Sequence, residues 1–309
     1  MPLTTESPRF SLRSAKLAEI DAAISEIGHA VIDDVWNPSF LSTVHALARK
    51  KYEDDDRRYL GHFSDYPKAV IDVYLGSCNY LESVSNGQDL REIYFSELDR
   101  SGLPALLREL LKGDFFVDES ERVIRRTDPR FPLRFIGLHK DGQAGPCSRA
   151  GIKSKRELTI WTPLQDCTDD DTPRLLLLHR GDDIYDLMSA DELAPVVLHA
   201  DVQKFETSSG SLADGAFDRI YEARRCYAPK VPLGSCIIFE HDIVHGAFRT
   251  SKMQTPRYSL DFRIVGRYRP TLANGTYKGI LYRSADFPNN EVLRFASRVV
   301  RKLKQLSAN

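Results

Sequence analysis

The spacing of apolar residues along the chain changes near residue 115. Before that point, apolar residues recur at helical intervals, which predicts amphipathic helices. Gly28 is typical of the residue that follows a helix, and Asn37 followed by Pro38 is typical of a helix start. A short strand, "HAVIDDV", follows the first helix. The predicted helices cover 13–27, 37–52 and 101–113.

After residue 115 the apolar segments become short and partly β-branched, and turn clusters such as "DGQAGP" and "TDDDTP" separate them. This spacing favours an antiparallel β-sandwich or jelly roll over a parallel α/β sheet. We therefore expect a mainly β fold with flanking helices. The predicted strands are "RVIRR", "LRFIGLH", "ELTIWTPLQ", "RLLLLH", "PVVLHADV", "SCIIFEH" and "YSLDFRIV".

These patterns predict one domain, 1–309, in which a mostly helical part (1–115) precedes a β core (116–270) and a helical extension (271–309). The stretch 180–230 is long and weakly patterned for a connection. It is predicted to be either a lid or binding loop, or a surface excursion or dimer contact. The helix predicted at "EVLRFASRVVRKLKQL" has a basic face, and we expect it to be docked and solvated.

Composition narrows the function classes. The chain has 309 residues, a net charge of −1 and 42% hydrophobic residues, so it is expected to be globular, with no nucleic-acid or membrane partner. Its five cysteines form no CxxC pair, which favours reduced thiols over a disulfide or zinc scaffold. Without an apolar signal segment or a membrane-length apolar run, a cytoplasmic protein acting on a small molecule is expected.

The stretch "FIGLHKDG" places His139 and Asp141 at the end of a predicted strand. Residues two apart on a strand face the same side. Non-haem Fe(II) oxygenases bind iron with two histidines and one carboxylate on one face of the metal. A second His-x-Asp occurs at His199 and Asp201, so the tripeptide alone does not decide between the two.

A third ligand is available in "LGSCIIFEHDIVHGAF", which contains His241 and His245. Several predicted strands separate His139 from His245, enough for a sandwich to fold back on itself. The pair at His199 lies inside the weakly patterned insertion and has few strand signals before His245. Topology therefore favours His139 and Asp141 as the metal-binding pair.

A candidate anion clamp follows in "TPRYSLDFRI", where Arg257 lies twelve residues after His245 and Ser259 two residues further on. Both side chains are expected on one face of a strand. A guanidinium matches a carboxylate through two parallel hydrogen bonds, and a neighbouring hydroxyl adds a third. The sequence therefore predicts a metal and a dicarboxylate side by side.

In this order and spacing, the motifs resemble those of Fe(II)/2-oxoglutarate-dependent oxygenases, and more specifically the phytanoyl-CoA dioxygenase-like branch. The segments that carry the resemblance are "GHAVIDDVWNPSFLSTVHALA", "HKD", "ELTIWTPLQDCT", "GSCIIFEHDIVHGAF" and "RYSLDFRI". The resemblance implies a double-stranded β-helix fold. It also implies that His139, Asp141 and His245 are the iron ligands and catalytic centre, and that Arg257 binds the distal carboxylate of 2-oxoglutarate.

Other residues have weaker assignments. Ser259 and Thr159 are candidate cofactor contacts or packing residues, and Trp161 is a candidate cofactor contact for which packing is the better interpretation. The chain departs from the family at Gln165, "DDDTPR" and "LLHRGD", which puts the substrate-facing rim in doubt. An acid at Asp141 favours hydroxylation or another oxidation over halogenation, because related halogenases have a small residue there.

A cationic stretch, "SRAGIKSKRE", follows the predicted iron motif. Its side chains Arg149, Lys153, Lys155 and Arg156 either steer an anionic substrate or form a solvated loop.

The resulting prediction is an Fe(II), 2-oxoglutarate and O2-dependent dioxygenase that oxidises a small polar or anionic metabolite, with a place in biosynthesis, and releases succinate and CO2. The alternative is a non-oxygenase metal-binding or ligand-binding jelly roll. Homo-oligomerisation through 180–230 is also open.

Overall fold

The fold is defined by a computed structural model, which describes residues 6–62, 77–78, 90–118, 123–129, 141, 156–181, 196–199, 204–207, 226–248, 253–266 and 279–282. The helices within these ranges are α1 (Leu17–Ile27), α2 (Pro38–His62), α3 (Leu90–Arg100) and α4 (Leu103–Leu110). None of these described helices is both long and apolar enough to cross a membrane.

The strands are β1 (Arg9–Ser11), β2 (His29–Asp33), β3 (Ser77–Cys78), β4 (Phe115–Asp118), β5 (Val123–Thr127), β6 (Glu157–Pro163), β7 (Arg174–Leu178), β8 (Val196–His199), β9 (Lys204–Thr207), β10 (Cys226–Tyr227), β11 (Cys236–Glu240), β12 (His245–Phe248), β13 (Arg257–Gly266) and β14 (Gly279–Tyr282). The described part of the chain is therefore mainly β with a few helices, as the hydrophobic pattern predicts.

Two helix boundaries follow from local chemistry. Gly28 ends α1 with φ = 100°, and its N–H donates to the carbonyl of Ile24 at 3.0 Å. A Cβ at Gly28 would run into the side chain of Ile243, so both the backbone angle and the packing require glycine. Asn37 caps α2, because its Oδ1 accepts the N–H of Ser39 at 2.9 Å.

The larger sheet has the strand order β1-β2-β11-β6-β13-β4-β14, and β5 lies beside β4 along the same edge of β13, with β3 pairing β5. Its described pairs are antiparallel, as predicted, apart from the parallel pair β1–β2. The long strand β13 is central and pairs with β6 from Ser259 to Val265. This pairing brings residues far apart in sequence into adjacent rows.

A smaller sheet, β10-β7-β12, covers part of one face of the larger sheet. Trp161, Ile237 and Phe239 from the larger sheet pack there against Leu175 and Leu177 of the smaller one. This sheet-on-sheet layer holds the candidate site. The hairpin β8–β9 pairs only with itself among the described strands.

The opposite face of the larger sheet packs against the helices and carries the main hydrophobic core. The strands β2, β4, β6, β11 and β13 contribute alternate residues to it, as the two-residue period of a strand requires. Members from β6 and β13 are Leu158, Ile160, Leu260, Phe262 and Ile264, and members from the helices include Ile24, Leu41, Leu98 and Leu107.

Three predicted helices and most predicted strands are confirmed where the structure describes them. The sequence pattern does not predict α3, β1, β3, β4, β9, β10 or β12. The predicted helical extension 271–309 is wrong at its described part, because β14 is a strand that pairs with β4. The predicted strand 133–139 and the predicted C-terminal helix lie outside the described residues.

Candidate functional site

The polar side of β13 forms one wall of the candidate site. Its side chains alternate between the two faces of the sheet, and four of those on the side of the smaller sheet are polar or charged: Arg257, Ser259, Asp261 and Arg263. All four are at most 7% exposed. Buried charged groups are costly unless they are paired, so this face needs partners from elsewhere in the fold.

Those partners surround a cavity of about 40 Å³ between the two sheets. Its apolar walls include Trp161, Leu175 and Phe239. Its polar lining includes Asp141, Thr159, His245 and Arg257. Asp141, His245 and Arg257 come from separate segments of the chain, so the fold rather than sequence proximity brings them together.

His245 and Asp141 meet at the base of this cavity. The Nε2 atom of His245 lies 3.6 Å from Oδ2 of Asp141, and both residues are buried. The Nδ1 atom of His245 lies 3.0 Å from the carbonyl of Ile243, which can only accept, so Nδ1 carries the proton. The ring packs against Phe239 at 4.6 Å between centroids. Nε2 therefore presents a lone pair on the side of Asp141, as a metal-ligating histidine does.

Asp141 is held through both of its oxygens. Thr159 donates its hydroxyl to Oδ2 at 2.8 Å, and Arg263 forms an ion pair with Oδ1. Thr159, predicted as a cofactor contact, thus contacts the predicted carboxylate ligand. These two contacts fix the orientation of the carboxylate with Oδ2 toward His245.

Arg257 is almost fully buried beside this pair. Its Nη1 donates to the carbonyl of Arg174 at 2.9 Å, its Nη2 donates to the hydroxyl of Thr127 at 2.6 Å, and its guanidinium lies 5.1 Å from the centre of the Trp161 ring. Among the described residues, Arg257 Nε and the buried hydroxyl of Ser259 have no hydrogen-bond partner.

The pKa of Arg257 also indicates a buried cation that suits a ligand carboxylate. Burial lowers the pKa of its guanidinium to about 10, because the cation has lost most of its hydration. Within the described ranges, no carboxylate forms an ion pair with it. The predicted cofactor contact Trp161 packs under this guanidinium instead. A buried cation with an unused donor and a neighbouring unused hydroxyl fits the carboxylate of a ligand.

A second pair on the cavity wall escaped the sequence analysis. Arg125 on β5 donates from Nε to Oδ2 of Asp261 at 3.0 Å. Oδ1 of Asp261 is buried and has no hydrogen-bond partner in the described part of the chain. The signal was the alternation along β13, which continues from Arg257 and Ser259 to Asp261 and Arg263.

Several predicted residues lie outside the described residues, namely His139, Arg149, Lys153, Lys155 and Asp201. Within the ranges that are described, no group of three His, Cys or acidic residues suited to a metal is found. The backbone of His199 lies at the end of β8, in the hairpin.

Arg156 does not lie at the cavity, contrary to its predicted place at the substrate mouth. Its guanidinium forms ion pairs with Asp21 at 2.6 Å and Glu240 at 3.0 Å and donates to the carbonyl of Leu110. The side chain of Arg156 lies on the helix-covered face of the larger sheet, as Leu158 does, whereas Thr159 lies on the cavity face. The side chain therefore ties α1 and α4 to the sheet.

His241, the other histidine of its motif, lies at the end of β11. Its Nδ1 is 3.3 Å from the carbonyl of Glu157, and it is not among the residues that line the cavity. The structure therefore brings His245, and not His241, to Asp141.

No family model matches the chain, and no curated protein matches its sequence. Similar solved structures include the non-haem α-ketoglutarate-dependent carbocyclase SnoK of nogalamycin biosynthesis, at 16% identity and a TM-score of 0.50, covering 87% of this chain and 92% of that one. They also include the epimerase SnoN of nogalamycin biosynthesis, at 15% identity and a TM-score of 0.45 over 89% of this chain and 96% of that one. A third is the non-haem monooxygenase ThoJ, at 13% identity and a TM-score of 0.46 over 95% of this chain and 98% of that one. The likeness to SnoK shows a shared fold and no more, and the two lower scores carry no weight.

Proposed function

We propose that this protein is a non-haem Fe(II)- and 2-oxoglutarate-dependent dioxygenase. The observation that carries the proposal is the convergence of His245, Asp141 and Arg257 on one cavity. Two of these side chains have the donor atoms of an iron site, and the third is a buried cation without a described acid partner. A fold shared with SnoK does not fix function, so the site must carry the argument.

The donor set fits a non-haem iron centre. Imidazole nitrogen and carboxylate oxygen are the ligands that Fe(II) takes in a two-histidine, one-carboxylate site. His245 has the tautomer for ligation through Nε2, and Asp141 presents Oδ2 beside it. His139 lies two residues before Asp141 in the sequence, and we assign it as the third ligand.

The residues near Arg257 fit 2-oxoglutarate. Its distal carboxylate would accept from Arg257 Nε and from the Ser259 hydroxyl, two buried groups that the described residues leave unused. Such charge-assisted hydrogen bonds are about twice as strong as neutral ones. The Trp161 ring beneath the guanidinium holds it in plane and keeps water from that side.

When bound, Fe(II) and 2-oxoglutarate together with O2 supply an oxidative decarboxylation that is coupled to oxidation of the substrate. The chain supplies ligand geometry and a shaped, dry cavity. The carbonyl of Ile243 orients the imidazole of His245, and the Thr159 hydroxyl orients Asp141. Arg263 pairs with Oδ1 of Asp141, so Oδ2, on the side of His245, would be the oxygen that holds a metal ion.

The finer assignments are also part of this proposal. We assign the sandwich to the double-stranded β-helix class, the chain to the phytanoyl-CoA dioxygenase-like branch, and the reaction to hydroxylation of a small polar or anionic metabolite. The motif order supports the branch. The acid at Asp141 supports hydroxylation, because it occupies the position that halogenases leave open.

Anaerobic calorimetry tests the proposal before any substrate is known. The purified protein should bind 2-oxoglutarate only when Fe(II) or Mn(II) is present, and aerobic incubation with Fe(II), ascorbate and 2-oxoglutarate should form succinate slowly. Metal binding without 2-oxoglutarate binding would favour the alternative, a metal-binding jelly-roll protein. His241→Ala is the matched control, because it removes a histidine four residues from His245 without touching the cavity.

A further inference from the structure

We propose that Arg125 and Asp261 form a binding subsite for the oxidised substrate, and that this substrate carries an acid group beside an N–H or O–H donor, as an α-amino or α-hydroxy acid does. The inference rests on the proposed function, because it assigns a place to the second ligand of the same cavity.

Arg125 has the position and the unused donors for this role. Its side chain is 18% exposed, whereas Arg257 is 3% exposed, so Arg125 lies closer to the solvent side of the cavity. Its one hydrogen bond to the described residues uses Nε, toward Asp261. Both Nη atoms are left to form the end-on fork that binds a carboxylate or phosphate bidentately.

Asp261 supplies the complementary acceptor. Its Oδ2 accepts from Arg125, and its Oδ1 is buried without a hydrogen-bond partner in the described ranges. A buried acceptor without a donor is costly, so a donor from a ligand at this point is favourable. A molecule that places an acid on Arg125 and a neighbouring ammonium or hydroxyl on Asp261 satisfies both residues at once.

The charge balance of the described cavity favours an anion. Of the described residues that line the cavity, three carry guanidinium groups, namely Arg125, Arg126 and Arg257, and two carry carboxylates, namely Asp141 and Asp261. A divalent cation and a 2-oxoglutarate dianion add no net charge. One positive charge remains, and in a site of low dielectric an anionic substrate is the better match.

The two anion sites are adjacent but distinct. Arg125 lies directly opposite Ser259 in the β5–β13 register, and Arg257 lies opposite Thr127. Arg257 and Ser259 are already assigned to 2-oxoglutarate. Arg125 is therefore available for a second acid, held next to the cofactor and within the same cavity.

The test uses full-length protein loaded anaerobically with Mn(II) and 2-oxoglutarate. The probes are a panel of α-amino and α-hydroxy acids, each compared with its methyl ester and with its analogue lacking the α donor. Calorimetry should show at least one acid that binds about 10- to 100-fold more tightly than its ester. Arg125→Gln should remove that preference, while its affinity for 2-oxoglutarate stays within about twofold of wild type.

Two further variants separate the parts of the subsite. Asp261→Asn should weaken α-amino acids more than α-hydroxy acids, because the amide keeps an acceptor but loses the charge that binds an ammonium. Arg49→Gln is the charge control, because it removes an exposed guanidinium of α2 that pairs with Glu53. It should leave all affinities unchanged.

Each failure has its own signature. If Arg125→Gln weakens 2-oxoglutarate and leaves the acid–ester preference intact, Arg125 belongs to the cofactor clamp and the subsite is wrong. If no acid in the panel binds better than its ester, the subsite is also wrong. If wild type binds no 2-oxoglutarate, the proposed function fails, and the acid–ester comparison repeated without cofactor still decides the role of Arg125.

Discussion

The two faces of β13 have the same backbone and nearly the same burial but opposite chemistry. On the helix side lie Leu260, Phe262 and Ile264, all fully buried in the main core. On the cavity side lie the four polar residues from Arg257 to Arg263, also buried. Burial of apolar surface stabilises the first face, whereas burial of charges on the second is costly. The cavity face is therefore best explained by ligand binding.

The strongest way to sharpen this comparison is to damage the apolar face. Phe262 is fully buried and contacts Tyr94 and Trp36 through edge-to-face ring pairs. Phe262→Ala should lower the free energy of unfolding by about 3–5 kcal/mol, measured by urea denaturation. The remaining folded protein should bind 2-oxoglutarate with nearly unchanged affinity.

Phe262→Leu is the matched control and should cost less, since it keeps more of the side-chain volume. If Phe262→Ala kept normal stability but lost 2-oxoglutarate binding, the distinction between a stabilising apolar face and a ligand-binding polar face would be wrong.

The next largest effect is expected at the proposed metal ligands. Replacement of His139, Asp141 or His245 by Ala should weaken Fe(II) or Mn(II) binding by at least about 10- to 100-fold, the range seen even for residues that only support a ligand. Metal titration under anaerobic conditions measures this, and circular dichroism checks the fold. His241→Ala should bind as wild type does.

If His241→Ala lost metal binding and His245→Ala kept it, His241 would be the metal ligand and His245 would not. The rival pair would gain support if Asp201→Ala abolished binding while Asp141→Ala did not.

Much of the fold was predictable because periodicity is a local property. The apolar residues of α1, β6, β11 and β13 recur at helical or strand spacing, and these elements lie where the sequence predicts them. Short elements were missed. The segment of β12, "HGAF", is too short to show a period, and its strand character comes from pairing with β7. That pairing partner is distant in sequence.

The site was only partly predictable for a related reason. Alternating charges along an antiparallel strand usually mark a solvent-facing side, so Asp261 and Arg263 did not stand out. Their burial depends on a second sheet that covers this face, which is a long-range property. Arg156 is the opposite case, because it was predicted at the cavity and does not lie there. Its position near the predicted iron motif indicated the cavity, but side-chain alternation along β6 turns it to the other face.

Arg257 tests whether the cavity face binds the cofactor. A hydrogen bond to a charged group contributes roughly 1.5–3 kcal/mol. Arg257→Ala should therefore raise the apparent KM for 2-oxoglutarate by about 10- to 150-fold, since 1.4 kcal/mol corresponds to a factor of ten. Lys at this position should rescue poorly, because one ammonium cannot keep the contacts with Arg174 and Thr127 and also present a donor where Nε lies.

Arg263 is the comparison residue on the same face. Its contact with Asp141 predicts that Arg263→Gln changes metal affinity more than 2-oxoglutarate affinity. An unchanged KM in Arg257→Ala with a raised KM in Arg263→Gln would move the clamp to Arg263.

The smallest effect is expected for Ser259→Ala. It separates a ligand contact from a packing residue, because the substitution should keep or raise stability but weaken the binding of 2-oxoglutarate. The hydroxyl of Ser259 is buried and has no hydrogen-bond partner in the parts of the chain that the structure describes. A buried hydroxyl of this kind is costly in the ligand-free protein, so Ser259→Ala should keep or raise the free energy of unfolding without 2-oxoglutarate. With the cofactor, one hydrogen bond from a neutral donor to a charged carboxylate is lost, which is about 1.5 kcal/mol at the lower end for bonds to charged groups, so the dissociation constant should rise about 10-fold. Denaturation with and without 2-oxoglutarate, in the presence of Mn(II), measures both signs in one protein. A variant that loses stability in both conditions would show that Ser259 is a packing residue, and the cofactor clamp would then consist of Arg257 without it.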